Sequence, residues 1–153
     1  MSEPRPARPH RTGRRKARKA ALDVLFAADL RGIDAMAILA QGLSTSQAAP
    51  GDFSARLVEA VTDHGEEIDR LIADHLKPGW TLARMPRVDR CLARLALADT
   101  LFEGTPLEVA VSEAVALAAE LSTDESPRFL SGLLGAAARP DGADGMRQRD
   151  PEE

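Results

Sequence analysis

The sequence predicts an all-α protein, and three observations carry that expectation. No segment alternates apolar and polar residues over strand length, whereas apolar residues recur three or four apart through most of the chain. Hydrophobic residues make up 44% of the 153 but aromatics only 3%, with no Tyr and one Trp, so the core must be built from Ala, Leu and Val. Such residues favour helices over strands. Helix-compatible segments are also punctuated at short intervals by Gly, Pro and capping residues. One domain is the expectation at this length.

Residues 1–13 alternate Pro with Arg and have no apolar period, which reads as a disordered basic arm. The first helix is expected to start near Arg14, with Ala17, Ala21, Val24 or Leu25 and Ala28 on its inner stripe and Leu22 and Phe26 widening it. A short helix through DAMAILAQ should stop at Gly42, and GLSTSQAAPGD has the composition of a loop. Asp52 is a candidate N-cap for FSARLVEAVTDHG, where Phe53, Leu57 and Val61 share a face and Gly65 could supply a left-handed end. EEIDRLIADHL continues with Ile68, Leu71, Ile72 and Leu76 before the break at KPGW.

Pro86 suits the first turn of the next helix, whose inner face is Val88, Cys91 or Leu92, Leu95, and Leu101 or Phe102, ending at Gly104. TPLE at 105–108 has capping-box form: Thr105 as cap, Pro106 first, Glu108 third. Ser126 followed by Pro127 repeats the pattern ahead of Phe129, Leu130, Leu133 and Leu134. The tail, residues 139–153, is polar and expected to be disordered. The periodicity therefore gives six or seven helices in two small bundles meeting near residues 77–80, with subdomains of about 14–79 and 80–138.

Catalytic constellations are missing from the pattern. Of three His, only His64 and His75 fall in the folded part, eleven residues apart, which is poor spacing for a metal site; no metal or cofactor is expected. Glu66 and Glu67 suit a solvated helix start, and GLLG has no preceding strand to make it a phosphate loop. Cys91, the single cysteine, lies on an apolar stripe; there is no disulfide framework, and a reducing cytoplasm fits. No run of about 18 apolar residues crosses a membrane, and the N-terminus lacks the apolar core of a secretory signal.

Charge is distributed unevenly. Residues 1–19 hold eight Lys or Arg against one Glu, so an overall charge of −4 divides into +7 and −11. Basic residues before a helix can be mere solubilising charge, but at a helix N-terminus each opposes the macrodipole at a cost of roughly 0.3–1 kcal/mol. Helix stability alone would select Asp or Glu there. A turn of Arg14, Arg15, Arg18 and Lys19 extended by Arg5, Arg8 and Arg11 suits phosphates.

Three stretches together resemble the NusB family of bacterial transcription antitermination factors: RRKARKAALDVLF, WTLARMPRVDRCLARLALADTLFE, and PLEVAVSEAVALAAELSTDESPRFLSGLL. Order and spacing match over about residues 14–135; the family pattern is broken by Ala119 where Lys is usual and by Ser131 where Asn is usual. The resemblance implies an all-helical fold of two three-helix subdomains and a role without catalysis. It implies pairing with NusE, a small ribosomal-subunit protein, binding to the single-stranded boxA segment of nascent rRNA, and action within an RNA polymerase antitermination complex in the cytoplasm. Arg14, Arg15, Lys16 and Arg18 match the family's RNA-facing basic helix; Glu125, Arg128 and Phe129 match a turn and helix beside the RNA. Phe26 and Asp89 match positions at the NusE interface, Asp89 as an exposed charge. Phe26 and Phe129 could equally be core residues. Family members include monomers and homodimers. A protein-binding helical adaptor remains an alternative, as does the RNA-binding N-terminal part of an rRNA cytosine methyltransferase, although here a polar tail stands where a cofactor domain would follow.

Overall fold

The computed structural model describes the backbone of residues 7–45 and 51–139, and side chains over 13–41 and 51–139. Among these residues it contains helices only: α1 (Ala7–Arg31), α2 (Ala35–Thr45), α3 (Asp52–Asp63), α4 (Gly65–Asp74), a 3-10 turn (Leu82–Arg84), α5 (Arg87–Phe102), α6 (Leu107–Leu121) and α7 (Ser126–Ala137). The all-α expectation is met. Expected disorder at residues 1–6 and 140–153 and the loop at 46–50 lie outside the described residues.

Helix α5 is the axis of the fold. From Asp89 to Asp99 every residue but Arg94 is buried, the signature of a helix enclosed on all sides. It packs on α1, α3 and α4 along one side and on α6 and α7 along the other. Leu92 and Leu97 are fully buried, and each such side chain contributes about 1.5–3 kcal/mol of transfer free energy. The buried apolar residues form one cluster running from Ala21 to Ala137. Cys91 belongs to it, and burial pushes its thiol up to about 11, so it stays protonated.

Several boundaries differ from the sequence expectation. Helix α1 begins at Ala7, not near Arg14; Pro9 is its third residue, where the missing N–H would have had no partner inside the helix. Helix α2 runs through Gly42 to Thr45, since one interior Gly costs only about 1 kcal/mol. Gly51, not Asp52, occupies the cap of α3. Gly65 opens α4 and has no left-handed backbone; positive φ falls instead at Gly32, just after α1, at Gly79, within the KPGW break, and at Gly104, just after α5. Pro86 sits one residue before α5.

Neither predicted hydroxyl cap forms. Thr105 donates its Oγ1 hydrogen to Asp99 Oδ1 at 2.6 Å, leaving Pro106 at the start of α6. Ser126 is the first residue of α7 and donates to Asp89 Oδ2 at 2.8 Å. In both cases a buried carboxylate on α5 takes the hydroxyl, because an unsatisfied buried anion costs more than an uncapped helix end in reach of water.

A second polar cluster ties α1, α4 and α5. Asp29 Oδ2 accepts from Arg87 Nε at 2.8 Å and Arg90 Nη2 at 2.7 Å, while Arg94 forms a two-pronged pair with Asp69. Burial alone would push the Asp29 carboxyl up, but the bonds from Arg90 and Arg87, with the Arg94 charge, outweigh it and lower it from 3.8 to about 2. A carboxylate depressed by folding stabilises above its unfolded value and loses that contribution as pH falls through the folded one. Wild type should therefore lose stability between pH 4 and pH 2 more steeply than Asp29→Asn. Urea midpoints at the two pH values check this, and equal losses would dismiss Asp29 as a source of acid sensitivity.

Candidate nucleic-acid interface

The basic residues of α1 divide by direction. Arg14 and Lys16 are exposed, and neither forms an ion pair among the described residues. The Arg14 guanidinium carbon stands 3.9 Å above the Phe53 ring centroid, a contact that orients the cation while leaving it accessible. Arg15 keeps 57% of its side-chain exposure but pairs two-pronged with Glu113, and Lys19 pairs with Glu120 at 3.0 Å. Glu113 and Glu120 lie seven residues apart on α6, so the two pairs tie α1 to that helix at two points.

Arg18 corrects the sequence reading. It is 5% exposed, and its Nε donates to Asp99 Oδ2 at 2.7 Å. Four residues from Arg14 it faces inward, where the carboxylate of α5 meets it, and it is not part of the exposed basic surface.

For Asp89 the structure corrects the expected exposure. The residue is 2% exposed and accepts from Ser122 at 2.6 Å and Ser126 at 2.8 Å, so its charge holds the α6–α7 junction onto α5. Phe26 is half-buried against the core, so packing accounts for part of its surface and the rest stays open.

The α6–α7 turn brings the other candidates together. Glu125 and Arg128 are exposed and Phe129 is half-buried. Beside them stands Trp80, 48% exposed, its ring centroid 6.4 Å from that of Phe129. Lys77 reaches the same place, and two grooves, of about 220 and 590 Å³, share Lys77, Glu125 and Phe129 in their walls. The sequence reading missed Trp80 and Lys77; the available signal was an aromatic directly after a Lys-Pro-Gly break, where nothing else calls for a large apolar residue. A third, open groove of about 750 Å³ lies by Arg14, Thr105 and Glu108.

No group of His, Cys, Asp or Glu suited to a metal occurs among the described residues. His64 stacks on Phe102 at 3.8 Å and bonds to Glu67, and His75 bonds to the Leu71 carbonyl. No helix among the described residues is long and apolar enough to cross a membrane.

The NusB family model matches residues 15–139. A transcription antitermination protein NusB from Nocardioides sp. is 47% identical over 84% of this chain and 95% of its own, and one from Saccharopolyspora erythraea is 48% identical over 82% and 86%. Among solved structures, T. maritima NusB superposes with a TM-score of 0.74 at 28% identity, covering 97% of this chain and 99% of that one. A NusB from a crystal structure of antitermination factors NusB and NusE in complex with dsRNA gives 0.73 at 26%, covering 82% and 96%.

Proposed function

The chain belongs to the NusB family, and from that premise we propose that it is a transcription antitermination factor that binds boxA RNA together with NusE. The observation that carries this reading is the match along residues 15–139 to a family with antitermination proteins among its relatives and a NusB–NusE–dsRNA complex among its structural neighbours. Its role is non-catalytic: it presents nascent rRNA leader transcripts to elongating RNA polymerase in the cytoplasm, and supports transcription of rRNA operons.

The geometry supports this division of labour. Arg14, Arg15 and Lys16 meet phosphates, Arg14 and Lys16 without giving up an ion pair among the described residues. Arg128 and Phe129, with Glu125 beside them, meet the bases, and the open part of Phe26 meets NusE. Few aromatics are available, so only one or two bases can stack here, and specificity is shared with NusE. Single-stranded RNA is the favoured target because unpaired bases can be splayed and read.

If about three phosphates are neutralised on a single strand, the log–log salt slope of affinity is about −2, a loss near twentyfold between 50 and 200 mM salt. Replacing Arg14 and Lys16 together with Ala should reduce the slope by about 1.4 while leaving the Arg15–Glu113 pair in place. Filter binding of boxA RNA to the NusE heterodimer at the two salt concentrations tests this. An unchanged slope would move the phosphate contacts elsewhere, and no RNA binding by the unmodified heterodimer would favour a protein-binding adaptor.

A further inference from the structure

Resting on the RNA-binding reading above, we infer that Phe53 is a positioning residue for the phosphate contact of Arg14: its ring, presented by α3, holds the Arg14 guanidinium on its face with the N–H donors turned outward. By spacing alone Phe53 is only a core residue of α3.

Three guanidinium groups converge on this one ring, and their partners sort them. The carbons of Arg14, Arg18 and Arg56 stand 3.9, 5.2 and 5.6 Å from its centroid. Arg18 is held by Asp99 at 2.7 Å and Arg56 by Glu103 at 2.8 Å, each through Nε, so both charges are already answered. Arg14 is exposed, has no ion pair among the described residues, and lies nearest the ring. A separation of 3.9 Å is van der Waals contact between carbon-centred groups. It leaves no room for an N–H between them, so the guanidinium lies on the face of the ring. A planar guanidinium placed in this way keeps its donors at its edge, in the fork that matches two phosphate oxygens.

Carboxylates compete for the same cation. The open groove of about 750 Å³ that Arg14 borders is also lined by Glu103, Glu108 and Glu113. An arginine free to rotate would spend part of its time on such acids, and an incoming phosphate would have to displace them; attraction to the negative face of the ring keeps Arg14 out of the groove. The platform is itself fixed. Phe53 is 8% exposed, and beside it the buried Ser54 donates its hydroxyl to the Ala17 carbonyl at 2.6 Å, which locks the start of α3 to α1 within a turn of Arg14.

A double-mutant cycle separates positioning from packing. Filter binding of boxA RNA to the NusE heterodimer would be measured at about 50 mM salt, where affinity is high, with a urea midpoint for each variant. Phe53→Leu removes the ring and keeps an apolar side chain in the core. It should stay folded and bind RNA about two- to fivefold more weakly, the scale of an exposed cation–π contact. That penalty should vanish in an Arg14→Ala background and persist in a Lys16→Ala background. Should Phe53→Leu lose cooperative unfolding, Phe53→Met, closer in volume and equally without a ring, takes its place in the cycle. Wild-type affinity in the ring-less variant, or the same penalty with and without Arg14, would overturn the positioning role and leave the RNA-binding reading standing. Absence of RNA binding by the unmodified heterodimer would overturn both.

Discussion

Asp99→Ala is expected to lower the stability of the protein by about 3–5 kcal/mol, the range for removing one partner of a buried ion pair. The carboxylate is 1% exposed, takes the Arg18 Nε at 2.7 Å on one oxygen and the Thr105 hydroxyl at 2.6 Å on the other, and thereby joins α1, α5 and the turn into α6. Removing it leaves the Arg18 guanidinium charged and 5% exposed, and Arg has no accessible neutral form to relieve the cost. For a domain of this size the loss corresponds to roughly 10–15 °C in Tm. The double variant Arg18→Met/Asp99→Leu should recover most of it, because apolar replacement of a whole buried pair is often neutral. Urea unfolding followed by circular dichroism measures both; a loss under 1 kcal/mol in Asp99→Ala would mean that water reaches Arg18.

The helices were legible in the sequence because their information is local. Leu57, Ile68, Leu92 and Leu130 announce buried faces through spacing alone, and all are at or below 1% exposure. What periodicity does not carry is the partner of a polar side chain. Thr105 and Ser126 have the residue type and neighbours of N-caps, yet each hydroxyl goes to an Asp of α5, six and 37 residues away. Arg14 and Arg18 are equivalent as members of a basic run, and a carboxylate 81 residues from Arg18 separates an exposed cation from a buried one. Family likeness carried Asp89 to a partner-facing position for the same reason: a motif records that an acid stands there, not whether serines from the next helix junction close over it.

Asp89→Lys is the sharper consequence of that correction. An exposed acid at an interface could be reversed with less than about 0.5 kcal/mol change in stability, and pairing with NusE would fail while the fold persisted. The observed Asp89 is instead 2% exposed and accepts two hydroxyl hydrogen bonds within the first turn of α5, where the helix dipole also favours an anion. Lys at this position puts a cation against that dipole and loses both accepting oxygens, so a cost above about 3 kcal/mol is expected, with loss of cooperative unfolding at ordinary temperature. Loss of NusE pairing in this variant would then be a consequence of unfolding, and Asp89→Asn separates the two causes. The amide keeps the shape and one accepting oxygen while removing the charge, at about 1–3 kcal/mol, which leaves a folded protein to test. Asp89→Asn should co-purify with NusE as wild type does and show a lowered urea midpoint. A variant with the wild-type midpoint that no longer co-purifies would put the Asp89 charge at the interface after all, and would require the Ser122 and Ser126 contacts to open when the partner binds.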